Sequence, residues 1–93
     1  MKNKVALAKW KKEVLPKLEL KVMEFPQRMK IQDMFTSEAE VTVCAEAACQ
    51  GLTGKWINEL DGDDLPIFRQ YSDSQIMLIG GRVIDVSGNP GSD

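Results

Sequence analysis

Histidine is absent from this 93-residue chain, and cysteine is scarce. The absence of histidine excludes a Ser–His or Cys–His nucleophile and any histidine-ligated zinc site. The two cysteines, Cys44 and Cys49, lie five residues apart, which on a helix is too far for an unstrained disulfide. We therefore expect two reduced, buried thiols that pack as small hydrophobic groups, as in a cytoplasmic protein.

Long apolar runs are also missing. No segment approaches the roughly 18 apolar residues that span a bilayer, and the charged N-terminal stretch is unlike a secretory signal. Hydrophobic residues make up 43% of the chain and charged residues 28%, as in ordinary globular domains. We expect one soluble domain over residues 1–86, followed by a flexible tail over residues 87–93 (SGNPGSD).

Charge is distributed unevenly although the net charge is only -2. Residues 1–30 hold nine bases and three acids, a net +6, whereas residues 31–93 hold three bases and eleven acids, a net −8. Several of the acids stand where helix starts and turns need them. The basic segment has less local explanation, and we expect it to dock on an acidic protein surface, in the same chain or in another.

Apolar periodicity predicts the secondary structure. Residues 3–15 have the spacing of an amphipathic helix that ends at Pro16, and residues 17–24 alternate as a half-buried strand does. Residues 26–36 stay open between a loop, a short strand around residues 29–31 and a helical turn. Ser37 and Glu40 have capping-box spacing, so a central helix is expected over residues 37–51. Its predicted inner face consists of Val41, Cys44, Ala45, Ala48 and Leu52.

The C-terminal half is expected to contain short helices and a hairpin. Gly51 or Gly54 would stop the central helix, Thr53 would cap a short helix around Trp56, and Asp63 or Asp64 would cap another with Pro66 in its first turn. Residues 75–79 and 82–86 flank a Gly-Gly pair that suits a type I′ turn. Both faces of that hairpin are apolar, which implies cover on both sides or a partner on one.

Four patterns suggest chemistry, and each has a simpler explanation. The acidic turn at residues 61–64 lacks the closing glutamate of a calcium loop, and the Gly-Gly pair lacks the following helix of a phosphate cradle. Glutamates 38, 40 and 46 share a helix but have no nucleophile or oxyanion donors beside them. Lys9, Lys11 and Lys12 around Trp10 could follow a phosphate backbone, although the acidic remainder of the chain would repel it. The sequence therefore predicts no enzyme, no cofactor and no metal.

The stretch from Leu18 to Tyr71 resembles the small tail assembly chaperones of long-tailed bacteriophages. The likeness covers about half of the chain: an alternating strand, a polar helix with an alanine-rich core ending in residues 51–54 (GLTG), then residues 60–65 (LDGDDL) before an apolar turn. It implies a non-enzymatic role, in which the aggregation-prone tape-measure protein is held during tail assembly. The chain departs from the family because a basic helix comes first and the hairpin last, and no individual functional residue carries over.

Together these patterns predict an α+β fold, in which a small antiparallel sheet of one strand plus the C-terminal hairpin packs on the central helix and shorter helices. The predicted function is non-enzymatic binding of a protein partner in assembly. The alternatives are a nucleic-acid-binding regulator that uses residues 1–30 and a self-associating structural subunit. The candidate partner-binding residues are Lys9, Trp10 and Lys12 on the first helix and Met77, Ile79 and Ile84 on the hairpin.

Overall fold

Five α-helices account for most of residues 2–88. The computed structural model describes residues 2–88, with side chains from residue 6 onward. The helices are α1 (Lys2–Glu13), α2 (Phe25–Met34), α3 (Glu40–Thr53), α4 (Leu65–Arg69) and α5 (Asp73–Gly88), and short 3-10 turns occupy Leu15–Lys17 and Ile57–Glu59. The predicted sheet is wrong, because no strand occurs in the described part of the chain. None of the described helices is long and apolar enough to cross a membrane.

The predicted hairpin is the helix α5. Its buried residues are Ile76, Ile79, Gly80, Val83 and Ser87. Apart from the adjacent pair Ile79 and Gly80, neighbours in this set are three or four residues apart, so they form one helical face. Placed on strands, the same apolar residues fall on both faces, and that conflict was the sign of a helix in the sequence. The expected tail begins inside α5 at Ser87, which is buried, and residues 89–93 lie outside the described residues.

The two central glycines of α5 serve helix packing instead of a turn. A methyl group on Gly80 would meet the backbone carbonyl of Cys44 in α3 and lie 2.8 Å from its Cα, so the two helices touch there backbone to backbone. At Gly51 of α3, the absence of a side chain leaves room for Val83 of α5, whose Cγ2 would clash with an added methyl group. Glycine lowers helix propensity by about 1 kcal/mol, but burial of the apolar faces of two long helices outweighs that cost.

The predicted strand over residues 17–24 is not a strand: residue 17 belongs to the preceding 3-10 turn, and residues 18–24 form a connecting segment with extended backbone at Leu18 and Glu24. It crosses the ends of two helices: the N–H of Lys21 donates to the carbonyl of Gly51 at 2.8 Å, and the N–H of Met23 donates to Oγ of Ser87 at 2.8 Å. Leu18 and Leu20 pack against the core as the predicted alternation requires, but the pattern reverses at the end of the segment, where Met23 is buried and Val22 is 53% exposed. The segment thus satisfies its backbone with groups that the helix ends leave free.

The central helix occurs as predicted, but it begins three residues later, at Glu40, and a different face of it points into the core. The expected capping box does not form, since Ala39 is the N-cap and the N–H of Ser37 donates to the carbonyl of Met34. Val41, expected inside, is 56% exposed, while Val43 is fully buried. The helix is capped at its C-terminus by Gly54, which has φ +77°, the left-handed backbone conformation that the sequence predicts at Gly51 or Gly54.

The helices share one hydrophobic core. Its buried members are Leu15, Met23, Ile31, Val43, Ala47, Ala48, Ile76, Ile79 and Val83. Because α3 and α5 finish beside the same extended segment, they run in roughly the same direction, and α2 returns along them from their C-terminal ends. Residues 26–36, left open by the sequence, therefore belong largely to a helix that carries Ile31 into the core.

Candidate functional site

The predicted residues of the first helix divide between core and surface. Trp10 is partly buried and packs edge-on against Tyr71, with ring centroids 6.1 Å apart and planes at 64°. Lys9 and Lys12 are exposed on the same helix. Since its ring is engaged inside the domain, Trp10 is poorly placed to stack on a nucleic-acid base, and the interaction surface around it reduces to the lysines.

The three predicted hairpin residues do not share a face on α5. Ile79 is fully buried against α3, which places it in the core. Met77 and Ile84, seven residues apart, lie on nearly the opposite side of the helix and are partly buried. The hairpin face on which the interaction surface was predicted therefore does not exist in this structure.

Half of the large apolar side chains that are exposed among the described residues lie on α2 or next to its ends. Phe25 is 63% exposed and Met29 42%, and Val22 just before the helix is 53% exposed. Phe25 and Met29 are one turn apart on a helix, and Gln32 continues their row, whereas Ile31 points into the core. We call Phe25, Met29 and Gln32 the α2 outer face. It gives α2 a second, solvent-facing apolar side.

Sequence patterns alone did not reveal the α2 outer face. Pro26 within the first turn of α2 and the spacing of Phe25 and Met29 were available as helix signals. The competing strand pattern that ended at Glu24 obscured them. A second missed signal is the capping box Ser72 and Gln75 at the start of α5, where each side chain accepts from the backbone N–H of the other, at 3.2 and 2.9 Å.

The described bases of the N-terminal third, which lie between residues 9 and 30, make no ion pair with the side chains of residues 6–88. Both ion pairs among the side chains of residues 6–88 involve Lys55, which lies outside the N-terminal third. Arg28 instead stacks on the ring of Phe25 at 5.7 Å and donates from Nη1 to the carbonyl of Ser87 at 3.0 Å, and Lys30 Nζ lies 4.6 Å from the ring centre of Trp56. Docking of the basic segment on an acidic surface of its own chain is therefore not observed among these side chains.

The acidic turn is held by its own backbone and one lysine. Asp61 Oδ1 accepts from the N–H groups of Asp63 and Asp64, at 2.9 and 3.1 Å, and Lys55 Nζ lies 2.6 Å from Asp64 Oδ2 and 3.5 Å from Asp61 Oδ2. The hydrogen bond to Asp64 raises the pKa of Lys55. No grouping of metal-binding side chains occurs among the described residues. The turn connects the end of α3 to α4, which begins at Leu65 with Pro66 in its first turn, as predicted.

We expect Asp61→Asn to weaken the pH dependence of stability in acid. The two backbone hydrogen bonds, and the charge of Lys55, hold the pKa of Asp61 below its ordinary value of 3.8. The ionised carboxylate therefore stabilises the fold above that value, and its contribution is lost as pH falls through the lowered pKa. Asparagine keeps the acceptor oxygen but removes the charge. Urea midpoints measured from pH 6 downward should fall less steeply for the variant, and an unchanged slope would contradict this role.

Both cysteines are free and buried on α3, in agreement with their predicted packing role. Burial raises the pKa of the Cys44 thiol, and the negative charge of Glu40 raises it further. Burial also raises the pKa of Cys49, although a hydrogen bond with Thr53 acts in the opposite direction. Since a thiol is nucleophilic only as the thiolate, neither cysteine is prepared for chemistry.

Comparison with known proteins leaves this geometry to be interpreted by itself. The chain matches no protein-family model, no curated protein and no solved structure. The α2 outer face and the charges around it are therefore the features of the molecule that bear on its function.

Proposed function

We propose that this protein is a non-enzymatic assembly factor that binds an apolar segment of a partner protein on the α2 outer face. The observation that carries the proposal is the two-sided character of α2: Ile31 is 2% exposed on its inner side, while Phe25 is 63% exposed on its outer side. A small domain gains nothing in its own stability from large exposed apolar groups clustered on one helix. Such clusters are typical of protein-binding surfaces.

The resemblance to phage tail assembly chaperones supports the same class of function. A protein that holds an aggregation-prone apolar segment needs an exposed apolar surface with a soluble rim. Phe25 and Met29 supply that surface, and Lys21, Arg28 and Lys30 stand near it in sequence. The family role as holder of a tape-measure protein is the specific form of this proposal.

Nucleic-acid binding is the second candidate, and the unpaired bases favour it. Lys9, Lys11, Lys12 and Lys17 are exposed and form no ion pair with the described side chains. Exposed lysines suffice for non-specific phosphate contacts. The engagement of Trp10 with Tyr71 counts against this candidate, because it removes the aromatic platform that the sequence offered.

Two synthetic peptides of equal composition test the proposal. One carries leucines at i, i+4 and i+7 to form an amphipathic helix, and the other has the same residues scrambled so that the leucines share no face. Fluorescence anisotropy should show binding of the first peptide only. Phe25→Ser and Met29→Ser should each weaken it by about tenfold, because each removes a large apolar contact.

Ile67→Ser is the matched control. Ile67 is 41% exposed on α4, close to the exposure of Met29, but it is not part of the α2 outer face. Its replacement should leave peptide binding unchanged. Equal binding of both peptides, or equal losses in all three variants, would contradict the proposal. Salt-sensitive binding of a DNA duplex, lost in Lys9→Gln with Lys12→Gln, would replace it with the second candidate.

A further inference from the structure

The α2 outer face has the row spacing of a helix that pairs with a second helix. Phe25, Met29 and Gln32 are separated by four and three residues, which is the spacing of side chains along a two-helix seam. Arg28 and Asp33 flank this row on opposite sides, five residues apart. Asp33 is exposed, and its carboxylate forms no ion pair with the side chains of residues 6–88.

Those flanking charges are complementary between two copies of the chain. When two identical helices pair in parallel, the flanking residue just before the central seam residue Met29 lies beside the residue five places further along the partner helix. Arg28 of each copy would then lie beside Asp33 of the other, twice by symmetry. In an antiparallel pair, each flank of the seam faces the same flank of the partner helix, so Arg28 of one copy and Asp33 of the other lie on different sides and cannot pair. Charge therefore selects the parallel arrangement.

We propose that the partner on the α2 outer face is a second copy of this chain, packed in parallel α2 against α2. This rests on the proposed function and names the partner for the same surface. The pairing buries Phe25 and Met29 of both copies, and its two charge pairs set the orientation. Arg28 keeps its contact with Ser87, which holds the guanidinium beside Phe25 at the edge of the seam. Because α2 is only about 15 Å long, the dimer is expected to form reversibly with concentration.

Sedimentation velocity of the full chain over a wide concentration range tests the pairing. Wild type should pass from monomer to dimer, and Met29→Glu should remain monomeric. Asp33→Lys should weaken dimerisation by about tenfold, because two attractive pairs become repulsive. Glu38→Lys makes the same charge change at an exposed position outside α2 and should have no effect. Circular dichroism establishes that each variant is folded.

A cysteine at the seam tests the orientation. In Gln32→Cys, the parallel arrangement brings the two introduced thiols together, so mild oxidation should produce a disulfide-linked dimer; Ser37→Cys should not. The native cysteines are buried and do not compete. A wild-type chain that is monomeric at every concentration, or an equal effect of Glu38→Lys and Asp33→Lys, would overturn the inference.

The two proposals fail separately. A monomer that still binds the amphipathic peptide through Phe25 and Met29 overturns the second-copy assignment and supports partner binding. A cross-linked dimer that binds neither peptide supports the pairing and contradicts the binding of another protein at this face.

Discussion

Gly80→Ala should destabilise the fold by several kcal/mol, even though alanine is the better helix former. The added methyl group would meet the carbonyl oxygen of Cys44, and backbone cannot move aside as a flexible side chain can. Overpacking a core typically costs about 1–3 kcal/mol, and separating α3 from α5 would disturb their whole interface as well. Thermal unfolding followed by circular dichroism should show a Tm lowered by more than ~5 °C.

Gly81→Ala is the matched control at the adjacent residue. No atom outside the local helix lies within 4 Å of a methyl group at this position. The variant should therefore be more stable than wild type by about 0.5–1 kcal/mol, because alanine costs less helix propensity and less backbone entropy. A type I′ hairpin needs a positive φ at both glycines, so it would lose stability in both variants. Equal destabilisation would therefore contradict the helix and restore the hairpin.

Ile79→Lys should abolish folding. Ile79 is fully buried between the helices, and the described residues around it in the core are apolar. An unpaired ammonium group there would cost more than about 4 kcal/mol, which is a large part of the roughly 5–15 kcal/mol that keeps a domain folded. Urea unfolding and circular dichroism would show an unfolded or strongly destabilised chain.

Ile67→Lys provides the comparison for the same chemical change at the surface. Ile67 is 41% exposed, so its lysine can keep the charge in water, and stability should change by less than about 0.5 kcal/mol. If Ile79→Lys remains folded and loses only self-association, residue 79 belongs to an interface, as the hairpin interpretation predicted. If it unfolds while Ile67→Lys does not, residue 79 is core.

The candidate site was only partly accessible from the sequence. Trp10 and the lysines beside it were identified because an amphipathic pattern shows which residues share a face. That pattern carries no information on what covers the face, and Tyr71, sixty-one positions away, covers Trp10. Phe25 and Met29 were missed for the converse reason: an apolar residue on a short helix is normally taken as core, and only the packed domain shows it exposed.

Local chemistry determined several features of this protein without the rest of the chain. Gly54 ends α3 in a left-handed conformation, and Pro66 occupies the first turn of α4, because each follows from backbone restrictions within a few residues. The first helix ends at Glu13, before the predicted stop, and Pro16 lies in the 3-10 turn that follows it. The absence of histidine likewise excluded Ser–His and Cys–His nucleophiles and histidine-ligated zinc sites without reference to the fold.

Tertiary packing decided what the local patterns left ambiguous. In the sequence, the pair Gly80 and Gly81 is as compatible with a tight turn as with a close contact between helices. The contact of Gly80 with Cys44 exists only once α3 lies against α5. The alternating segment before Pro26 was predicted as a strand, yet the N–H groups of Lys21 and Met23 find partners on Gly51 and Ser87 near helix ends, and no sheet forms among the described residues. The physical reason is common to both: the partner that satisfies a backbone group, or excludes a side chain, is distant in sequence and enters no local pattern.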